Sequence, residues 1–125
     1  LSNGTIERNV ATEAGGGVFW SEDAPSSIQN VYIANNVAPT GGGVYTTGES
    51  LTIAGCEISE NRATSKGGGI YLANGTLILD AATRIVENRA PAGGGGVWND
   101  GATLHRNDAE ISGNAPDNCH GPGCQ

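Results

Sequence analysis

Short apolar clusters alternate along the chain with polar and Gly-rich breaks, and the alternation has a fixed period. Each unit opens on Ile, with Asn three residues later and Ala two beyond that. A linker, a run of Gly, a β-branched residue and an aromatic complete it. The units read IERNVATEAGGGVF from Ile6, IANNVAPTGGGVY from Ile33, ISENRATSKGGGIY from Ile58 and IVENRAPAGGGGVW from Ile85, with a truncated ISGNA from Ile111. Asn9, Asn36, Asn61, Asn88 and Asn114 follow one another at steps of 27, 25, 27 and 26 residues. Gly17, Gly43, Gly69 and Gly96, the last of each run, step by 26, 26 and 27.

Between units lie a tight turn and a short apolar strand. Asn74-Gly75 and Asp100-Gly101 are turn dipeptides, and Leu51-Thr52-Ile53, Leu77-Ile78-Leu79 and the weaker Thr103-Leu104 read as strands. The first unit carries a longer insertion, WSEDAPSS, and its matching strand around Ile28 is poorly marked. No window shows the apolar period of a helix. Helical repeats need about 33 residues or more and propeller blades about 40, so a spacing near 26 fits neither. Three strands of about 3–5 residues per repeat suit one rung of a solenoid whose neighbouring strands lie ~4.8 Å apart. The pattern predicts an all-β, right-handed parallel β-helix of about five coils with three short strands per coil, its hand following the crossover rule for parallel strands. Residues 1–115 form the repeat domain and 116–125 a Pro/Gly/Cys tail or cap.

Stacking explains the recurrence. In a solenoid each residue sits above its own equivalent, and an Asn amide can donate to one neighbour while accepting from the other. The five Asn residues are therefore expected to form an internal ladder at one corner, where they also satisfy turn backbone groups. The Gly runs permit a corner with positive φ and a close approach of rungs.

Composition narrows the function. A net charge of −7 repels phosphate backbones and argues against nucleic-acid binding. Apolar runs are too short to span a bilayer, and no basic-then-apolar leader opens the chain. The start at Leu1 reads as a processed or excised piece of something longer.

The repeat resembles those of chlamydial polymorphic outer-membrane proteins, F-x-x-N and G-G-A-[IV]. It is also similar to the wider set of secreted right-handed β-helix repeat proteins. Here Ile replaces Phe in the first motif and a third Gly enters the second, and the resemblance covers roughly Ile6 to Ala115. It implies a surface-exposed passenger-type module used in adhesion or as a stalk.

Several residue sets are candidates for chemistry. Phe19, Tyr45, Tyr71 and Trp98 each follow a β-branched residue. Successive strand residues face opposite sides, so the aromatics form either an outward stripe for sugar rings or a protein partner, or a tucked-in corner. Thr46, Thr47, Asn99 and Asp100 in the flanking turns are polar groups suited to orienting a ligand. Glu60 and Glu87 are each followed two residues later by Arg62 and Arg89, while Glu57, Arg84 and Glu110 occupy one repeat position. Both sets read as modest structural ion pairs, with alternation avoiding like-charge stacks. A polysaccharide lyase would need clustered Asp to hold Ca²⁺, but Asp23, Asp80, Asp100, Asp108 and Asp117 share no repeat position. Cys119 and Cys124 flank HGPG and are expected to form a disulfide, the weaker alternative being a metal clip with His120. Cys56 reads as a buried core residue. Asn3-Gly4-Thr5 and Asn74-Gly75-Thr76 match the N-glycosylation acceptor pattern and equally make good turns.

These features favour a non-catalytic structural or adhesive module, without metal or cofactor, outside the cell or in a comparable lumen. Its partner would be a protein or glycan on an exposed face, within a larger assembly or at a surface. A carbohydrate-active, lyase-like enzyme is the alternative.

Overall fold

The sequence period becomes the pitch of a solenoid. In the computed structural model, which describes residues 1–21 and 23–124, the strands run parallel to their equivalents one repeat away and collect into three sheets. One sheet contains the apolar strands and the Ile-x-x segments. Within it β1 (Ser2–Glu7) pairs with the long β3 (Ser26–Ala34), whose two halves pair with β6 (Ser50–Ala54) and β7 (Glu57–Ser59). β10 (Thr76–Leu79) and β13 (Thr103–His105) stack beyond β6, and β11 (Arg84–Val86) and β14 (Glu110–Ser112) beyond β7. The second sheet follows the Gly corners: β2 (Val18–Trp20), β5 (Val44–Thr46), β9 (Ile70–Leu72), β12 (Val97–Asn99) and β15 (Cys119–His120). The third, after the Asn corner, pairs β4 (Val37–Thr40) with β8 (Arg62–Lys66) and extends through single bridges to Val10, Arg89 and Ala115.

The core consists of register-matched columns. Ile28, Ile53 and Leu79 form one; Ile33, Ile58 and Ile85 another; Val18, Val44, Ile70 and Val97 a third, all buried. Each such side chain contributes roughly 1.5–3 kcal/mol on leaving water. The poorly marked segment around Ile28 is in fact the longest strand, nine residues. Its alternation is hidden because Asn30 adopts φ 54°. That left-handed residue resets the pleat, so Ile28, Val31 and Ile33 are all buried despite their uneven spacing. In the next coil Gly55, with φ 61°, occupies the matching place.

The Asn column is continuous. The Oδ1 atoms of Asn36, Asn61, Asn88 and Asn114 each accept from the backbone N–H and from Nδ2 of the preceding Asn, at 2.8–3.0 Å. The second Nδ2 hydrogen of each donates back to the carbonyl of Ile6, Ile33, Ile58 or Ile85, at 2.9–3.1 Å. Every interior amide is thereby saturated, as burial of a polar group requires. The middle Gly of each run makes the neighbouring corner possible. A Cβ on Gly68 would lie 2.5 Å from the Gly95 carbonyl oxygen and would also meet that of Arg89.

Residues 116–124 cover the C-terminal end by imitating one more coil. Asn118 Oδ1 accepts from the Asn114 N–H at 2.9 Å and from its Nδ2 at 3.1 Å, extending the ladder by one residue that has no place in the repeat. Asp117 Oδ1 accepts from the Gly94 and Gly95 amides at 2.6 and 3.4 Å. In inner coils the corresponding Gly amides donate to carbonyls of the following corner. Asn99 ties the tail down, its Nδ2 donating to the Pro122 and Ala102 carbonyls at 2.7 and 2.9 Å.

Candidate functional site

Because Val18, Val44, Ile70 and Val97 point into the core, the aromatic that follows each points out. Phe19, Tyr45, Tyr71 and Trp98 are matched in register along the second sheet. Phe19 is 56% exposed, and the other three are half-buried. The Phe19 and Tyr45 rings stack at 5.0 Å and the Tyr45 and Tyr71 rings at 5.2 Å, with interplanar angles of 7° and 1°. Such centroid spacings lie within the favourable range for offset aromatic pairs. Trp98 instead stacks on His120, 3.9 Å away. His120 lies in register with it on β15 and continues the column. The Lys66 ammonium sits 4.8 Å from the centroid of the Trp98 ring, a cation–π geometry. Together these residues make a stacked column that presents ring edges outward, with one cation beside it.

The polar rim is smaller than the sequence implies. Thr46 and Asn99 are buried, and the Asn99 amide is committed to the turn and the tail; inward positions of the same strands take them. Thr47 and the exposed Asp100 remain at the edge. The Tyr71 hydroxyl donates to Asp100 Oδ2 at 3.2 Å. Partial burial, and then this acidic partner, raise the Tyr71 phenol above its ordinary pKa.

The two charged sets separate. Arg84 bridges Glu57 at 3.1 Å and Glu110 at 3.2 Å across three rungs. The Ser112 hydroxyl, donating to Glu110, and then Arg84 hold the Glu110 carboxyl below its usual pKa. No matching ion pair joins Arg62 to Glu60 or Arg89 to Glu87 among the described residues. Arg62 and Arg89 are instead directly opposite one another on adjacent rungs. The expectation that alternation avoids like-charge stacks therefore fails here: the residue after Asn61 and the residue after Asn88 are both Arg.

Cys119 and Cys124 are joined in a disulfide, and Cys56 is free and buried. Desolvation raises the Cys56 thiol above its ordinary pKa. No three His, Cys, Asp or Glu side chains converge on a metal position among the described residues. Asn3 and Asn74 are both exposed, and Asn74 Oδ1 accepts from the Gly75 amide at 2.8 Å. His105 is exposed. No described helix is long and apolar enough to cross a membrane.

A family model for right-handed β-helix regions matches residues 2–125. The chain belongs to the right-handed β-helix family. No curated protein and no solved structure matches it. Surface proteins and polysaccharide-degrading enzymes share this family, so fold alone does not choose between them and the exposed surface of the right-handed β-helix must carry the functional argument.

Proposed function

We propose that this β-helix is a non-catalytic adhesive or structural module, displayed outside the cell or in a comparable lumen, that holds a glycan or protein partner along its aromatic column. The carrying observation is the register-matched ribbon Phe19–Tyr45–Tyr71–Trp98 with His120 at its end. A solenoid presents one position many times over, and this position repeats a large aromatic side chain. Because the rings stack on one another along the column, they offer a partner a continuous row of aromatic edges at the ~4.8 Å strand spacing. Aromatic side chains are also the commonest energetic anchors at protein interfaces. The disulfide supports an oxidising compartment.

The test replaces Tyr45, Tyr71 and Trp98 together by Ser and compares retention on a glycan array and on immobilised extracellular-matrix proteins. Circular dichroism should find the triple variant folded, because the inward column is untouched. Retention should fall at least about tenfold, the equivalent of one lost anchor of ~1.4 kcal/mol. Undiminished retention by a folded variant would remove the column from the site. Cleavage of any polysaccharide by the purified domain would replace the adhesive reading with the enzymatic one.

A further inference from the structure

On the third sheet, around the Asn corner from the apolar strands, Arg62 and Arg89 stand opposite one another at the mouth of an open cleft of about 470 Å³. Its remaining lining is Ala63, Ala90, Pro91, Ala115 and Pro116, without a carboxylate. The two arginines, Pro91, Ala115 and Pro116 are exposed, and Ala63 and Ala90 lie buried beneath them. We infer that this cleft is a second binding site, separate from the aromatic column, for a single carboxylate attached to a small apolar body.

Three observations carry the inference. Like charges directly opposite on neighbouring strands destabilise a sheet, yet two of only six basic residues in a chain of net charge −7 are spent this way. The ion pairs among the described residues use Arg8 and Arg84 and leave Arg62 and Arg89 without a carboxylate. The same position carries Val10 and Val37 in the preceding coils and Ala115 in the following one. The positive charge is therefore confined to two rungs, which suits one anionic group and not a polyanion tracking the whole solenoid. Adjacent rungs root the two arginine side chains on backbones ~4.8 Å apart, close enough for both guanidinium forks to reach one anion. A carboxylate between them can accept from both, in short charge-assisted hydrogen bonds. The substituent would then rest on the exposed Ala115 methyl and on Pro91 and Pro116.

Such a carboxylate can be the C-terminus of a polypeptide or a free organic acid. The experiment titrates the folded protein with N-acetyl-alanyl-leucine, with its C-terminal amide, and with 4-methylpentanoate, following the arginine Nε–H and alanine methyl resonances by NMR. Saturable shifts confined to Arg62, Arg89 and Ala115 are expected with the two acids and not with the amide. Tighter binding of the dipeptide identifies a chain end; tighter binding of 4-methylpentanoate identifies a small acid. Arg62→Gln and Arg89→Gln should each weaken binding about tenfold or more, with thermal midpoints equal to or above wild type, since the like-charge repulsion is relieved and the fold is kept. Equal shifts with the amide, equal shifts at Arg8 and Arg106, or unaltered affinity in both variants would overturn the site.

Discussion

Removing a carboxamide whose hydrogen-bonding positions are all filled leaves its neighbours without partners. Asn61→Leu strips the acceptor from the Asn36 N–H and Nδ2 and the donor from the Ile33 carbonyl, all around a position only 1% exposed. Each orphaned buried group costs about 1–3 kcal/mol, so the variant should lose about 3 kcal/mol or more in urea unfolding. Coincident midpoints would show that the ladder carries no such energy. Asn118→Ala removes only the exposed final acceptor and should cost nearer about 1 kcal/mol. Five ladder residues are legible as a period; Asn118 is not, because it lies four residues beyond Asn114 and substitutes for a whole coil. Asp80 makes a comparable local argument with a pH signature. Its Oδ1 accepts from the Gly55 amide at 3.1 Å and from the Thr83 hydroxyl at 2.7 Å, and these two, in that order, lower its pKa. A depressed carboxyl pKa contributes stability that is present above the unfolded-state value of about 3.9 and lost as pH falls through the folded-state value. The stability gap between wild type and Asp80→Ala should therefore be full above about pH 4 and shrink below it. A gap independent of pH would assign Asp80 no linked role.

Elements differ in how much of their geometry a linear pattern carries. The Gly corners and the inward β-branched column are readable because every coil repeats them. β3 is not, because Asn30 breaks its alternation in the middle, and a left-handed residue inside a strand leaves no simple binary signature. The outward direction of the aromatics follows from strand alternation only if the corner does not bend, and the buried Val18–Val44–Ile70–Val97 column settles that geometry. His120 joins the column 22 residues after Trp98, out of step with the repeat, since the tail reaches the second sheet by a shortened path. That path is closed by the Cys119–Cys124 bond. Thiol titration in denaturant without reductant should accordingly find one free thiol, that of Cys56. In the native protein even that thiol should react slowly, because it is buried and burial keeps it protonated. Three reactive thiols in denaturant would mean that the tail is held by hydrogen bonds alone.

At the scale of the whole molecule, a solenoid has no central core shared by all its parts. Each coil contacts only its neighbours, so stability is close to a sum of coil and interface contributions. The two ends of this one are unlike. At the C-terminal end, Asp117 and Asn118 supply acceptors to the last corners, and the disulfide closes the tail that carries β15. At the other end Leu1, Val10 and Phe19 are the exposed large hydrophobics, Val10 at 77%. Asn9, unlike the four ladder residues after it, is itself exposed. The middle coils hold Ile33, Ile53, Ile58, Leu77 and Ile85 with almost no exposure. Opening of the first coil removes one interface and little buried area, whereas opening of a middle coil disrupts two interfaces and a saturated amide. Local unfolding follows the least buried contacts. Hydrogen exchange should therefore show lowest protection at the amides of Arg8, Ala11 and Gly15, which donate from the first coil to the second. Protection should be highest at Ala63, Arg84 and Arg89, and intermediate at Val97 and Ala115. Reducing the disulfide should lower protection at Val97 and Ala115 while leaving the first coil unchanged, because those two amides lie against the tail or beside its root. A uniform protection pattern, collapsing everywhere on reduction, would mean that the coils unfold as one unit and that the nearest-neighbour description does not hold for this protein.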